Sequence, residues 1–235
     1  VYYVDFAAIF REHRDLKGMI SPQNSISSLM SYYHKKAPNK NLPLIHYGED
    51  AHQIQQVQSN LPKLMVLVVG ETARAESFAL NGYSKNTNPE LSKQEVLNFS
   101  QVSSCGTATA VSVPCMFSGM PRVDYDEQLA SHREGLLDIA KRAGYQVTWI
   151  DNNSGCKGAC DRVEEYQIPE KLKQKWCKDG ECYDDILIDS LNEYLATIPK
   201  EDTRPRLIVL HQVGSHGPAY YKLSLIHISE PTRPY

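Results

Sequence analysis

The chain has 235 residues, 41% of them hydrophobic, and a formal net charge of −3 at pH 7. Its length and apolar content suffice for one or two domains with a real core. Near-balanced charge, without a basic run or aromatic–basic interleaving, gives nucleic-acid binding no support. No apolar run nears the ~18 residues of a membrane span. Val1 rather than Met opens the sequence and no signal peptide is visible, so the true start is expected upstream.

Residues 1–62 are polar and mixed, and read as a linker. Tyr2, Tyr3, Phe6, Ile9 and Phe10 fit one face of an amphipathic helix, which would cover its own domain or touch a membrane surface. Residues 21–28 read as a loop entering a short helix, and residues 39–43 as a break. The organised part opens at Lys63 and runs to residue 222. Leu64-Met65-Val66-Leu67-Val68-Val69 is apolar throughout, the pattern of a strand buried on both faces in a parallel sheet. Further strands are predicted at residues 146–150 and 207–210, and helices at 134–143 and 184–196. Strands alternating with helices predict an α/β sandwich with a mainly parallel sheet.

Function in such sheets gathers at the carboxyl ends of the strands. The first predicted strand ends in Gly70-Glu71-Thr72, the second in Asp151-Asn152-Asn153-Ser154, and the third in His211-Gln212 followed by Gly214-Ser215-His216-Gly217. Three polar clusters at equivalent positions point to one shared site. Glu71 follows a buried strand, so its carboxylate needs a partner; a divalent metal is one option, a helix dipole the other. The run from Ser104 to Cys115 is dense in hydroxyls. A small-residue turn opening a helix there would gather backbone N–H groups into an anion site. Thr109 at such a start is either a nucleophile activated by metal or a simple N-cap.

Six cysteines fall in three close pairs: Cys105 with Cys115, Cys156 with Cys160, and Cys177 with Cys182. Even counts in short loops fit disulfides of an oxidising compartment. The alternative is a metal site, but the first pair lacks the C-x₂₋₄-C spacing of zinc ligands.

Several ordered segments resemble the lipid A phosphoethanolamine transferases, which include the mobile colistin-resistance enzymes and their chromosomal relatives. They are Val69-Gly70-Glu71-Thr72-Ala73-Arg74-Ala75, Asn81-Gly82-Tyr83, Ser104-Cys105-Gly106-Thr107-Ala108-Thr109, Ser112-Val113-Pro114-Cys115-Met116-Phe117-Ser118, Asp151-Asn152-Asn153, His211-Gln212, and Ser215-His216-Gly217-Pro218-Ala219-Tyr220. The Cys156–Cys160 loop with Gly158-Ala159 leans towards the chromosomal type.

The resemblance implies an alkaline phosphatase/sulfatase-like α/β fold, expected to be incomplete at the C-terminus. It implies a membrane domain upstream and a catalytic domain at the periplasmic face of the bacterial inner membrane. Thr109 matches the nucleophile that carries phosphoethanolamine, with Thr107 as its rival. Glu71 and Thr109 match zinc (Zn2+) ligands. Asn153, Ser154 and Lys157 match substrate-contacting positions, and His216 the histidine near the transferred phosphate. The implied reaction is ping-pong transfer from phosphatidylethanolamine to lipid A, giving polymyxin and colistin resistance.

This sequence departs from the family pattern in one respect. The family's Asp-His-Gly motif and later His do not occur, and His227 has no such partner. The metal site is therefore expected to be incomplete within these residues, and the chain alone inactive. Residues 223–235 resemble a translated sequencing adapter and read as non-native, with an ordinary terminal strand as the alternative. Two rival functions remain. A formylglycine sulfatase needs C/S-x-P-x-R, yet Ser112-Val113-Pro114 is followed by Cys115-Met116. A phosphatase of the same superfamily belongs with that first rival; the second is a non-catalytic fragment that folds or binds lipid headgroups.

Overall fold

The computed structural model describes residues 25–26, 29–30, 42–53, 63–178 and 180–214. The helix read at residues 2–10, His216 and the tail at 223–235 lie outside them. The chain divides into two units, Val1–Pro43 and Leu44–Tyr235. In the first, Ser25, Ile26, Leu29 and Met30 are helical, in keeping with the short helix expected there.

The second unit holds β1 (Leu64–Val69), α1 (Thr109–Phe117), α2 (Glu127–Ser131), α3 (Leu136–Arg142), β2 (Gln146–Asp151), β3 (Glu164–Tyr166), α4 (Glu170–Trp176), β4 (Cys177–Lys178), β5 (Glu181–Cys182), α5 (Asp185–Thr197) and β6 (Arg206–His211). Four strands form one sheet in the order β1-β6-β2-β3, and β4 and β5 form a small hairpin. All pairings in the large sheet are parallel. The fold is thus the α/β architecture with a mainly parallel sheet that the residue pattern predicts.

β6 is the centre of the sheet, and its sequence shows why. Arg206-Leu-Ile-Val-Leu-His211 is buried at every position. Successive side chains of a strand point to opposite faces. Leu207 and Val209 enter a cluster with Val147, Trp149, Val113, Phe117 and Leu137. Ile208 and Leu210 enter another with Ile150, Leu172, Ile186, Leu187 and Tyr194. Helices α1 and α3 cover the first face, α4 and α5 the second. In α5 the buried Ile186, Leu187, Ser190 and Tyr194 recur at helical spacing.

β1 differs from its expectation. It forms at the predicted residues, but only Val69 is buried; Leu64, Met65, Val66 and Val68 are exposed. The cause is position: β1 is the outer strand of the sheet. Its apolar run alone does not distinguish an outer strand from a central one. β3 gives no strand signal in sequence, because Glu164-Glu165-Tyr166 is short and polar and is held by pairing to β2.

All three cysteine pairs are disulfides, and no described cysteine is free. Ile208→Ala should cost about 2–5 kcal/mol in chemical denaturation, since it opens a cavity in a fully buried position. Met65→Ala on the exposed strand should cost less than about 1 kcal/mol. Equal losses at the two positions would contradict the assignment of the core.

Candidate active site

Strand register sets the site. Val69 of β1 and Asp151 of β2 both pair with His211 of β6. The three strands therefore end on one row, and the segments following them leave the sheet side by side. These are the Gly70–Thr72, Asn152–Ser154 and Gln212–Gly214 segments that the sequence singles out.

Glu71 lies at the end of β1 and Thr109 on the first turn of α1. The Thr109 hydroxyl donates to Glu71 Oε2 at 2.9 Å. The residue at the N-cap is Ala108, and no side chain caps the helix. Thr109 is thus not a simple cap: its hydroxyl turns to the carboxylate 38 positions earlier. The other carboxylate oxygen, Oε1, accepts from Thr72 Oγ1 at 2.8 Å. Thr72 has φ +54°, a region costly for a β-branched side chain. The backbone beside Glu71 is therefore held against its own preference. Both Glu71 and Thr109 are half-buried, whereas the rival Thr107 is exposed.

Disulfides bound the segments around this pair. Cys105–Cys115 encloses Thr109 between two cysteines ten positions apart. Cys156–Cys160 closes the turn that carries Lys157, a second non-glycine residue at φ +54°. Arg162 fastens that turn to α3 through two 2.7 Å bonds to Asp138.

Asp151 organises the loop after β2. Its carboxylate accepts from His211 Nδ1 at 2.7 Å, Trp149 Nε1 at 3.0 Å, the Asn153 amide at 3.1 Å and the Gly155 amide at 2.9 Å. Burial pushes this carboxyl up, but the bonds from His211, Trp149 and Gly155 outweigh it and hold it below the ordinary value. Sequence reasoning reads Asp151 only as part of a polar cluster; its supporting role depends on a contact 60 positions away. Asn153 in turn donates to the Gln212 carbonyl at 2.8 Å, linking the β2 and β6 loops. Ser154 is exposed and Lys157 half-buried; the Lys157 amine donates to the Ser154 carbonyl.

The structure thus brings Glu71 to Thr109 and sets Asn153, Ser154 and Lys157 on the loop after β2, with β6 and its loop lying between β1 and β2. Two oxygens converge at Glu71 and Thr109, and zinc sites take three or four protein or water ligands. Among the described residues, no group of three or more His, Cys, Asp and Glu side chains is placed to hold a metal ion.

A parallel sheet with polar loops at its carboxyl edge and a hydroxyl at an adjoining helix start is the arrangement of the sulfatase class, and the Sulfatase family model matches residues 63–225. The chain belongs to that family, within its phosphoethanolamine transferase branch. The model for phosphoethanolamine transferase EptA/EptB matches residues 1–37. Phosphoethanolamine transferase EptA of Escherichia coli K12 is 50% identical over 223 residues, covering 94% of this chain and 40% of the relative. Phosphatidylethanolamine transferase Mcr-2 of Escherichia coli is 39% identical, covering 92% and 41%. Among solved structures, the integral membrane lipooligosaccharide phosphoethanolamine transferase A of Neisseria meningitidis superposes with a TM-score of 0.81 at 42% identity, covering 94% of this chain and 41% of its own. The chain spans about two fifths of the length of these relatives.

Asp151 has a folded-state pKa below its unfolded value, so its ionised form stabilises the fold above the ordinary Asp range near about 4. That contribution is lost as pH falls through the depressed folded value. Asp151→Asn should therefore lower the denaturation midpoint at neutral pH, with the gap to the parent narrowing towards about pH 3. A gap of constant size across that range would count against the ionised hub.

Proposed function

We propose that the protein transfers phosphoethanolamine from phosphatidylethanolamine to lipid A, with Thr109 as the group that carries it. The single observation supporting this most strongly is the Thr109 hydroxyl bonded to Glu71 Oε2 at 2.9 Å at the start of a helix. Phosphoryl transfer asks for a positioned oxygen nucleophile and for charge stabilisation around the phosphoryl oxygens. The bond to Glu71 fixes the Thr109 rotamer and gives the hydroxyl proton a place to go. Thr109 Oγ1 then attacks phosphorus, the bond to the glyceryl oxygen breaks, and the proton taken from Thr109 balances the departing diacylglycerol. In the second half-reaction a lipid A phosphate oxygen attacks the same phosphorus and Thr109 is restored.

Helix α1 presents its first amide groups at this position, where an anionic phosphoryl group is favoured. Asn153, Ser154 and Lys157 are read as the donors that hold the phosphate and headgroup, and His216 as a further one. Glu71 and Thr109 fit two positions of a zinc shell: a carboxylate and a hydroxyl oxygen within hydrogen-bond distance of each other. When bound, zinc lowers the pKa of a coordinated hydroxyl and polarises phosphoryl oxygens.

The expected setting is the periplasmic face of the bacterial inner membrane. The relatives' membrane character and the three disulfides support that placement. Among the described residues no helix is long and apolar enough to cross a membrane. Adding an amine to lipid A offsets its negative charge, so cationic polymyxins would bind it less well.

In the protein expressed from its own gene, Thr109→Ala should abolish headgroup transfer and polymyxin protection while the melting temperature stays close to the parent's. Thr109 is not the N-cap residue, so its removal does not cost the helix a cap. Thr107→Ala should keep most of the activity. Protection at the parental level in Thr109→Ala would refute the nucleophile assignment.

A further inference from the structure

Asp184 occupies the N-cap of α5, yet its side chain makes no capping bond. An aspartate there ordinarily accepts from an amide in the first turn of its own helix. Here the carboxylate turns away. Its Oδ1 accepts from Asn152 Nδ2 at 2.8 Å and from the Val213 amide at 2.9 Å. Its Oδ2 accepts from the Gly214 amide at 2.8 Å. Asn152 also donates to the Cys182 carbonyl at 3.2 Å, joining the assembly to the disulfide-closed β4–β5 hairpin. One carboxylate thus gathers the loop after β2, the loop after β6 and the start of α5.

The loop it holds is also packed against Glu71. Gly214 sits at φ +55°, and a Cβ built on it would lie 2.5 Å from the Glu71 carbonyl oxygen and 3.1 Å from the Glu71 nitrogen. The backbone of residue 214 therefore lies directly against the backbone of Glu71, and Glu71 in turn receives the Thr109 hydroxyl. Bonds to a charged acceptor are the stronger kind, and both loop amides point to one.

We propose that Asp184 is a positioning residue: it clamps the β2 and β6 loops so that Gly214 braces Glu71, and through Glu71 the hydroxyl of Thr109. This rests on the reading of Thr109 and Glu71 as the reacting site. The clamp uses no atom of the substrate, so its loss should lower the rate of the chemical step more than the apparent affinity.

Asp184→Ser tests this in the protein expressed from its own gene. Serine ranks with aspartate as an N-cap, so α5 keeps its start, but its side chain is too short to span both loops. Asp184→Asn keeps one acceptor oxygen and should be intermediate. Amide hydrogen exchange at Val213 and Gly214 should speed up by about 10-fold or more in the serine variant. The melting temperature should hold within about 3 °C. At the same time kcat should fall about 10-fold or more with KM changed less than about two-fold. Unchanged exchange in both variants would overturn the clamp. Fast exchange with undiminished kcat, or a loss confined to KM, would overturn the positioning role. Should the serine variant not fold, the asparagine variant is judged by the same readouts. Thr109→Ala assayed alongside keeps the two claims apart. Transfer surviving there refutes the site reading, while the exchange data still decide the clamp.

Discussion

The structure depends on β6 being paired on both edges and covered on both faces. Parallel pairing with β1 and β2 satisfies its backbone groups. Alternating Leu207, Ile208, Val209 and Leu210 supply the contact for both helical layers. That burial fixes the register, because a one-residue slip would send each side chain to the wrong layer. The register then aligns Val69, His211 and Asp151 in one row. The catalytic geometry proposed for Glu71 and Thr109 starts from a hydrophobic constraint several residues below it.

Above that row the physics changes from apolar packing to charge-assisted hydrogen bonding. Two carboxylates, Asp151 and Asp184, take seven donors between them from side chains and loop amides. Such bonds pre-organise loops whose own sequences, rich in Asn, Ser and Gly, have no intrinsic shape. Three short disulfides add local closure next to the same segments. The Thr72 and Lys157 backbones at φ +54° are held in place within this frame.

Much of this was legible in the residues. The apolar runs at 64–69 and 207–210 locate two strands to within a residue, and the close spacing of the cysteines pairs them correctly. The polar residues after each strand mark the site because open α/β sheets place function there. Three things were not legible. The edge position of β1 depends on strand order, which periodicity does not encode. β3 is polar and exists through its pairing with β2. The support from Asp151 and Asp184 depends on contacts 29–60 positions apart in the chain. Thr109 reads from sequence as either a cap or a nucleophile, and only the fold removes the simple cap, by placing Ala108 at the N-cap and turning the Thr109 hydroxyl to Glu71.

The most direct test of the account is to look for the covalent intermediate. The protein would be incubated with phosphatidylethanolamine in the absence of lipid A, quenched in acid, and digested for peptide mass spectrometry. The account predicts a phosphoethanolamine adduct on the Cys105–Cys115 peptide, localised by fragmentation to Thr109 and discharged when lipid A is added. Turnover with Thr109 unmodified, or an adduct on Thr107 that lipid A discharges, would contradict it.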